Sequence, residues 1–258
     1  MPGLAFMMGT TAVLPTNARA QSDEIQVYDG GLAARGVFNL TLHNNYTPRG
    51  AKTPGFAGGV TPDRSFNGVP EWALGVTDWF EAGLYLPLYT HDAKLGFGVD
   101  GAKLRLLFAV PHGDDRTFVY GTNFEFSVNA KRWDTHRVTS EVRGILGWHL
   151  NPQIDVIVNP IVDTAFDGFG NLDFVPSTRV AYNANKSWSV AAETYSDFGA
   201  IKGFSPPTAQ SHQVFGVVDH VTRSGLEVEF GAGVGLTGAS DRLTLKLILS
   251  KDLTGGRK

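Results

Sequence analysis

The chain has 258 residues, 42% hydrophobic and 18% charged, with 31 glycines, no cysteine and a formal net charge of -3. That composition fits one sizeable domain without a basic tail, gives nucleic acid no electrostatic footprint as a partner, and removes disulfides, thiolate catalysis and cysteine-based metal sites. No run approaches the roughly 18 apolar residues of a membrane-spanning helix.

In chain order, residues 1–20 read as a signal peptide. Leu4 to Leu14 is mostly small or apolar, and Ala18-Arg19-Ala20 before Gln21 has the small-x-small form of a signal-peptidase site, although the usual basic stretch is missing. Strands are predicted near 37–46, 70–78, 79–88, 99–109, 117–128, 138–150, 153–162, 172–183, 187–198, 211–221, 226–236 and 241–250, because apolar residues recur at every second position. Most run nine to thirteen residues, long for soluble strands and matched to the roughly 9–11 that cross a bilayer at a tilt. The links alternate in size. Long ones at 47–69, 89–98, 129–137, 163–171 and 199–210 interleave with tight ones such as Asp78-Trp79, Asn151-Pro152 and Ala184-Asn185-Lys186, the asymmetry of external loops and periplasmic turns.

The two faces of these strands differ in kind. One parity holds Phe38, Leu40, Leu42, Trp72, Leu74, Leu84, Leu104, Leu106, Phe124, Phe126, Val156, Val190, Leu245 and Leu247, with no charge among them. The other carries Glu81, Lys103, Arg105, Glu125, Glu141, Arg143, Asp155, Arg179, Glu193, Glu227, Glu229 and Lys246. A dozen charges cannot all sit in a dry core, since an unpaired buried ion costs several kcal/mol. They need water or each other, and a lumen offers both. The pattern therefore predicts a closed antiparallel transmembrane β-barrel of about 12 strands over 37–250, with membrane lipid around it, a periplasmic segment at 21–36 and a C-terminal tail at 251–258. The strand at 211–221 is ambiguous, because His212/Val214/Gly216/Val218/His220 and Gln213/Phe215/Val217/Asp219 suit lipid about equally. Trp72, Trp79, Tyr89, Trp133, Trp148, Tyr182, Trp188 and Phe198 lie near segment ends and suit interfacial girdles, although strands of any kind are rich in aromatics.

The opening Glu24-Ile25-Gln26-Val27-Tyr28-Asp29 and the stretch from Pro70 through Trp79 to Leu88 resemble the bacterial outer-membrane barrels grouped as a MetA-pathway of phenol degradation family, as does the layout of the chain. The resemblance implies an outer-membrane, transporter-like barrel for small, aromatic or hydrophobic solutes, inserted by the outer-membrane assembly machinery, and it carries over no catalytic residue. One departure is that many such barrels end on an aromatic residue, whereas Leu249-Ser250-Lys251 runs on to Lys258.

Signals for other chemistry are thin. Gly233-Val234-Gly235-Leu236-Thr237-Gly238 fits a dinucleotide fingerprint by letter but is followed by a strand, so a glycine row on the lumen side is the plainer reading. Ser211 and His212 are neighbours in a strand, point to opposite faces and cannot act on one another. Asp163, Asp167, Asn171 and Asp173 form an oxygen-rich loop that could hold calcium, although ordinary polar turn residues explain it as well and are the plainer reading. No cofactor is implied. The lumen charges divide between a selectivity filter and a structural salt-bridge ladder, with Glu141 paired to Arg143 or Glu125 reaching Arg143 from the next strand. The 47–69 link is the best candidate to fold inward. The leading function is a passive channel for small solutes; the rivals are a closed barrel acting through its loops, an outer-membrane phospholipase-like enzyme, and a soluble barrel.

Overall fold

The computed structural model describes residues 24–254. The expected signal peptide and the last four residues of the expected tail lie outside them. Twelve strands form a ring in which each pairs with its neighbour in antiparallel fashion: β1 (Phe38–Arg49), β2 (Ser65–Thr77), β3 (Phe80–Asp92), β4 (Gly96–Ala109), β5 (Phe118–Asn129), β6 (Val138–Asn151), β7 (Ile154–Asn159), β10 (Ser177–Asn185), β11 (Trp188–Asp197), β12 (Ser211–Val221), β13 (Glu227–Gly235) and β14 (Leu243–Asp252). Two short strands, β8 (Ile161–Thr164) and β9 (Asp173–Phe174), extend the wall beside β6. The ring closes where β14 pairs with β1, from Asn39 opposite Asp252 to Tyr46 opposite Leu245. A closed sheet has no edge, so every strand interior finds its hydrogen bonds within the wall.

The predicted strands are present, with shifts that follow from proline and turn chemistry. Pro160 has no N–H to give to the ladder, so the seventh strand stops at Asn159 and resumes as β8. Pro176 has the same effect on the next strand, which begins at Ser177 rather than 172. The link expected at 89–98 is mostly strand. β3 and β4 run on to a tight turn at 93–95, where the Asp92 carboxylate accepts the N–H of Lys94 at 2.5 Å and of Leu95 at 3.0 Å.

The segregation of charge becomes inside and outside. Leu84, Leu104, Phe126, Val190 and Phe230 point out and keep 42–50% of their surface exposed, a continuous apolar coat that water would not tolerate. Tyr85, Asn123, Glu193 and Lys246 point in and are fully buried. The ambiguous strand β12 turns Phe215 and Val217 inward and Val218 outward. Phe215 fits because Gly233 stands opposite it on β13, where a Cβ would come within 2.4 Å of the ring. The glycine row thus makes room for an aromatic ring.

Aromatic rings collect at both ends of the coat: Phe80 against Phe108 at 4.7 Å and Phe118 against Trp148 at 5.3 Å at the short-turn end, Phe66 and Phe97 on either side of Tyr89 at the loop end. Trp133 departs from the girdle expectation. The 130–137 loop carries it inward, where it is buried with Val69, Tyr85 and Leu88, since an indole gains more by covering an apolar patch than by staying in contact with water. The long loop after β1 also turns in. Its Val60 and Thr61 are buried, with Val60 N–H donating to the Arg132 carbonyl at 3.0 Å and Thr61 N–H to Asp92 at 2.7 Å.

Candidate functional site

The lumen is not empty at its middle. Residues 24–36, expected to lie outside the barrel, enter from the short-turn end and run up the inside of the wall, with Ile25, Val27 and Tyr28 buried. Their path is set by backbone contact at the entrance. Gly36 N–H donates to the Gly75 carbonyl at 2.7 Å, and Gly75 N–H to Val37 at 3.0 Å. A side chain at Gly75 would strike the Ala33 and Ala34 carbonyls at 2.2 and 2.3 Å, so the segment fits only because β2 has no Cβ there. Higher up, Ala33 N–H donates to Glu81 at 2.5 Å.

Tyr28 is the anchor. The Asn159 side chain pairs with both of its main-chain groups, accepting from Tyr28 N–H at 2.7 Å and donating to its carbonyl at 2.9 Å, as a neighbouring strand would. The Tyr28 hydroxyl lies 2.7 Å from that of Tyr85 and donates to Glu125 at 3.3 Å, while the Arg143 guanidinium stands 4.3 Å over its ring. Burial first, and the carboxylates of Glu24 and Glu125 next, push the Tyr28 phenol well above its usual range, so it stays a protonated donor.

The predicted lumen residues gather around this segment in two groups. On β2–β6, Arg105 lies between Glu81 and Glu71, the latter at 2.6 Å and itself held by His43 at 3.1 Å. Lys103 pairs with Glu125 at 3.2 Å and Arg143 with Glu141 at 2.7 Å; Arg143 also donates to the Gln26 carbonyl at 2.8 Å. The alternative pairing of Glu125 with Arg143 does not form, because the register sets Glu125 opposite Glu141 and Arg143 opposite Asn123. On β10–β14, Arg179 binds Glu193, Asp219 and Glu229, and Lys246 binds Glu193 at 2.5 Å, Glu229 at 2.6 Å and the Ile25 carbonyl at 3.1 Å. Asp155 stands apart with His149 and Asn183, both at 2.6 Å, and Glu227 is exposed at the short-turn rim.

Sequence reasoning missed Glu71, Asp219, Tyr85, Asn159 and Tyr28. Glu71 and Tyr85 lie on the charged parity beside Trp72 and Leu84, a signal that was available; Asp219 lies on the strand whose faces were ambiguous. The loop donors proposed for calcium do not converge. Asp163 and Asp173 pair across β8 and β9, whereas Asp167 accepts from Asn171 in the exposed loop, and no cluster placed to hold a metal ion occurs among the described residues. The His212 ring contacts Ser196 and Gln210, not Ser211 as a base would.

The segment divides the interior. Toward the short turns lies a cavity of about 1060 Å³ lined by Glu81, Arg105, Asp155, Arg179, Asp219 and Glu229. Toward the loops lie cavities of about 430 and 260 Å³ that share Glu24, Glu141, Arg143, Asp163 and Asp173. Gln26 borders both sides.

No protein-family model matches the chain, and no curated protein does. Among solved structures, an outer membrane channel from Pseudomonas putida F1 superposes with a TM-score of 0.60 at 12% identity, covering 89% of this chain and 100% of that one. The NanC porin superposes with a TM-score of 0.54 at 8% identity, over 82% of this chain and 97% of that one. The fold is that of an outer-membrane β-barrel. For such a barrel the short-turn end, where both termini of the ring lie, is periplasmic and the loop end external.

Proposed function

We propose that the protein is an outer-membrane channel for passive entry of small solutes, narrowed at mid-lumen by its own residues 24–36. The observation that carries this reading is the charged, cavity-bearing interior on both sides of the segment, behind a wall that is apolar outside. A dedicated structural plug has no need of about 1060 Å³ of polar space on one side. The resemblance of the opening residues and of 70–88 to the phenol-degradation barrels supports aromatic or hydrophobic compounds among the solutes. A protein of this kind supplies a lined hole, and rates follow from width, polarity and charge at the narrowest point.

The second reading, a closed barrel that acts through its external loops, is favoured by the burial of Tyr28 and by the hydrogen bonds that hold it. Single-channel recording of the refolded chain in a planar bilayer separates the two. Discrete steps that grow when Tyr28→Ala loosens the segment support the channel. Silence from inserted, folded protein with or without that substitution supports the closed barrel.

A further inference from the structure

The five lumen cations Lys103, Arg105, Arg143, Arg179 and Lys246 are all engaged by carboxylates of the wall. They are also outnumbered. Arg105 faces both Glu71 and Glu81, while Arg179 and Lys246 together face Glu193, Asp219 and Glu229. With the carboxylates ionised, the pairs of Arg179 and Lys246 leave one surplus negative charge on the β10–β14 side, while on the other side His43, 3.1 Å from Glu71, shares the balance with Arg105.

A second, independent feature lies on the external side of Tyr28. The register places Glu141 directly opposite Asp163, and Asp163 directly opposite Asp173, so three acids stand in a row across β6, β8 and β9. Like charges facing one another across strands destabilise a sheet. Two cations stand near the row: Arg143 is committed to Glu141 and to the Gln26 carbonyl, and Lys103, which lines the same cavity, pairs with Glu125. The row borders both external cavities, into which Glu24 also projects, and Asp197 lines the larger of them.

We infer that the lumen favours cations: among charged small solutes, those with an amine, guanidinium or other positive group pass in preference to carboxylates and phosphates. Neutral solutes gain nothing from this field. The inference rests on the channel reading above. Rings and rows of acidic side chains along a narrow, low-dielectric passage concentrate counter-ions and repel co-ions. The fixed cations cannot oppose this, because each is already neutralised where it stands.

The test is the reversal potential of the full chain across a KCl gradient, followed by the same measurement on Asp163→Asn/Asp173→Asn. The expected result is a K⁺ over Cl⁻ preference of about fivefold or more, falling toward unity in the double variant with channel activity retained. Removing like charges that face each other relieves the sheet, and Asp197→Asn, which keeps an acceptor for Gly199 N–H, provides a second variant expected to lower the preference by a smaller factor. Open channels that prefer Cl⁻, or a preference that none of these substitutions moves, overturn the inference and leave the channel standing. Absence of any channel from inserted protein overturns the channel reading itself.

Discussion

The two halves of the lumen wall treat the segment at 24–36 differently. The half built from β2 to β7 holds it by specific contacts at every level: Gly75 and Glu81 at the entrance, Tyr85, Glu125 and Asn159 at Tyr28, and Arg143 at Gln26. The half built from β10 to β14 is nearly self-sufficient. Arg179, Lys246, Glu193, Asp219 and Glu229 satisfy one another, Tyr195 donates to Glu193 at 2.7 Å, and the segment receives one hydrogen bond, from Lys246 to Ile25, plus packing of Ile25 on Phe215 and Val217. Charge in a lumen can therefore serve two ends within one ring. One half uses it as a dock, and the other uses it to brace the wall.

The sharpest way to break that contrast is to remove the hub of the bracing half. Glu193→Ala strips Lys246 and Arg179 of a shared carboxylate in a fully buried position, and the expected loss is about 3–5 kcal/mol, read from urea unfolding in detergent or lipid. Segment docking is expected to change little beyond the Lys246 to Ile25 bond, because most of its hydrogen bonds lie on the other half. Next in size, Leu84→Arg on the docking half and Val190→Arg on the bracing half should each cost about 2–4 kcal/mol if they lie near the bilayer midplane. Their near equality is the point of the pair, since the halves differ inside and not toward lipid. A cost confined to one of them would count against the assigned faces.

Smaller effects probe the dock. Tyr28→Phe removes a hydroxyl that Tyr85 and Glu125 both meet and should cost about 1–3 kcal/mol through the groups left buried without it. Its clearer readout is faster hydrogen exchange at Tyr28 and Val27 amides, with the strands unchanged. Gly75→Ala has the smallest expected effect on barrel stability and a directed one on the segment. The added methyl displaces the Ala33 and Ala34 carbonyls, so protease sensitivity of residues 30–36 should rise while the heat-modified gel shift of the barrel persists.

The wall was legible in the residues themselves, because a period of two with charges confined to one parity admits few alternatives once twelve such runs occur. Leu226 to Leu236 and Phe80 to Leu88 show it most clearly. β12 escaped because neither face of Ser211–Val221 carries a clean pattern, and only the space over Gly233 decides where Phe215 points. The strand breaks at Pro160 and Pro176 were marked by residues that cannot donate. The inward segment was not legible. Glu24 to Val27 alternates polar and apolar residues as an exposed strand would, and the partners of this segment, Asn159, Tyr85 and Arg143, are scattered along the chain. Which lumen charges pair was also hidden, since a shift of register by two residues would have joined Glu125 to Arg143.

The join between β1 and β14 has one more implication, for the order in which the barrel is put together. Residues 24–36 lead directly into β1, and most of the hydrogen bonds they make to the wall are with strands that precede β10. The first half of the sheet can thus curl with its own leading end already laid in the hollow, and the later strands can swing round to meet Asn39 and Leu40 last. The seam shuts over an occupied interior, so no threading of a finished cylinder is needed.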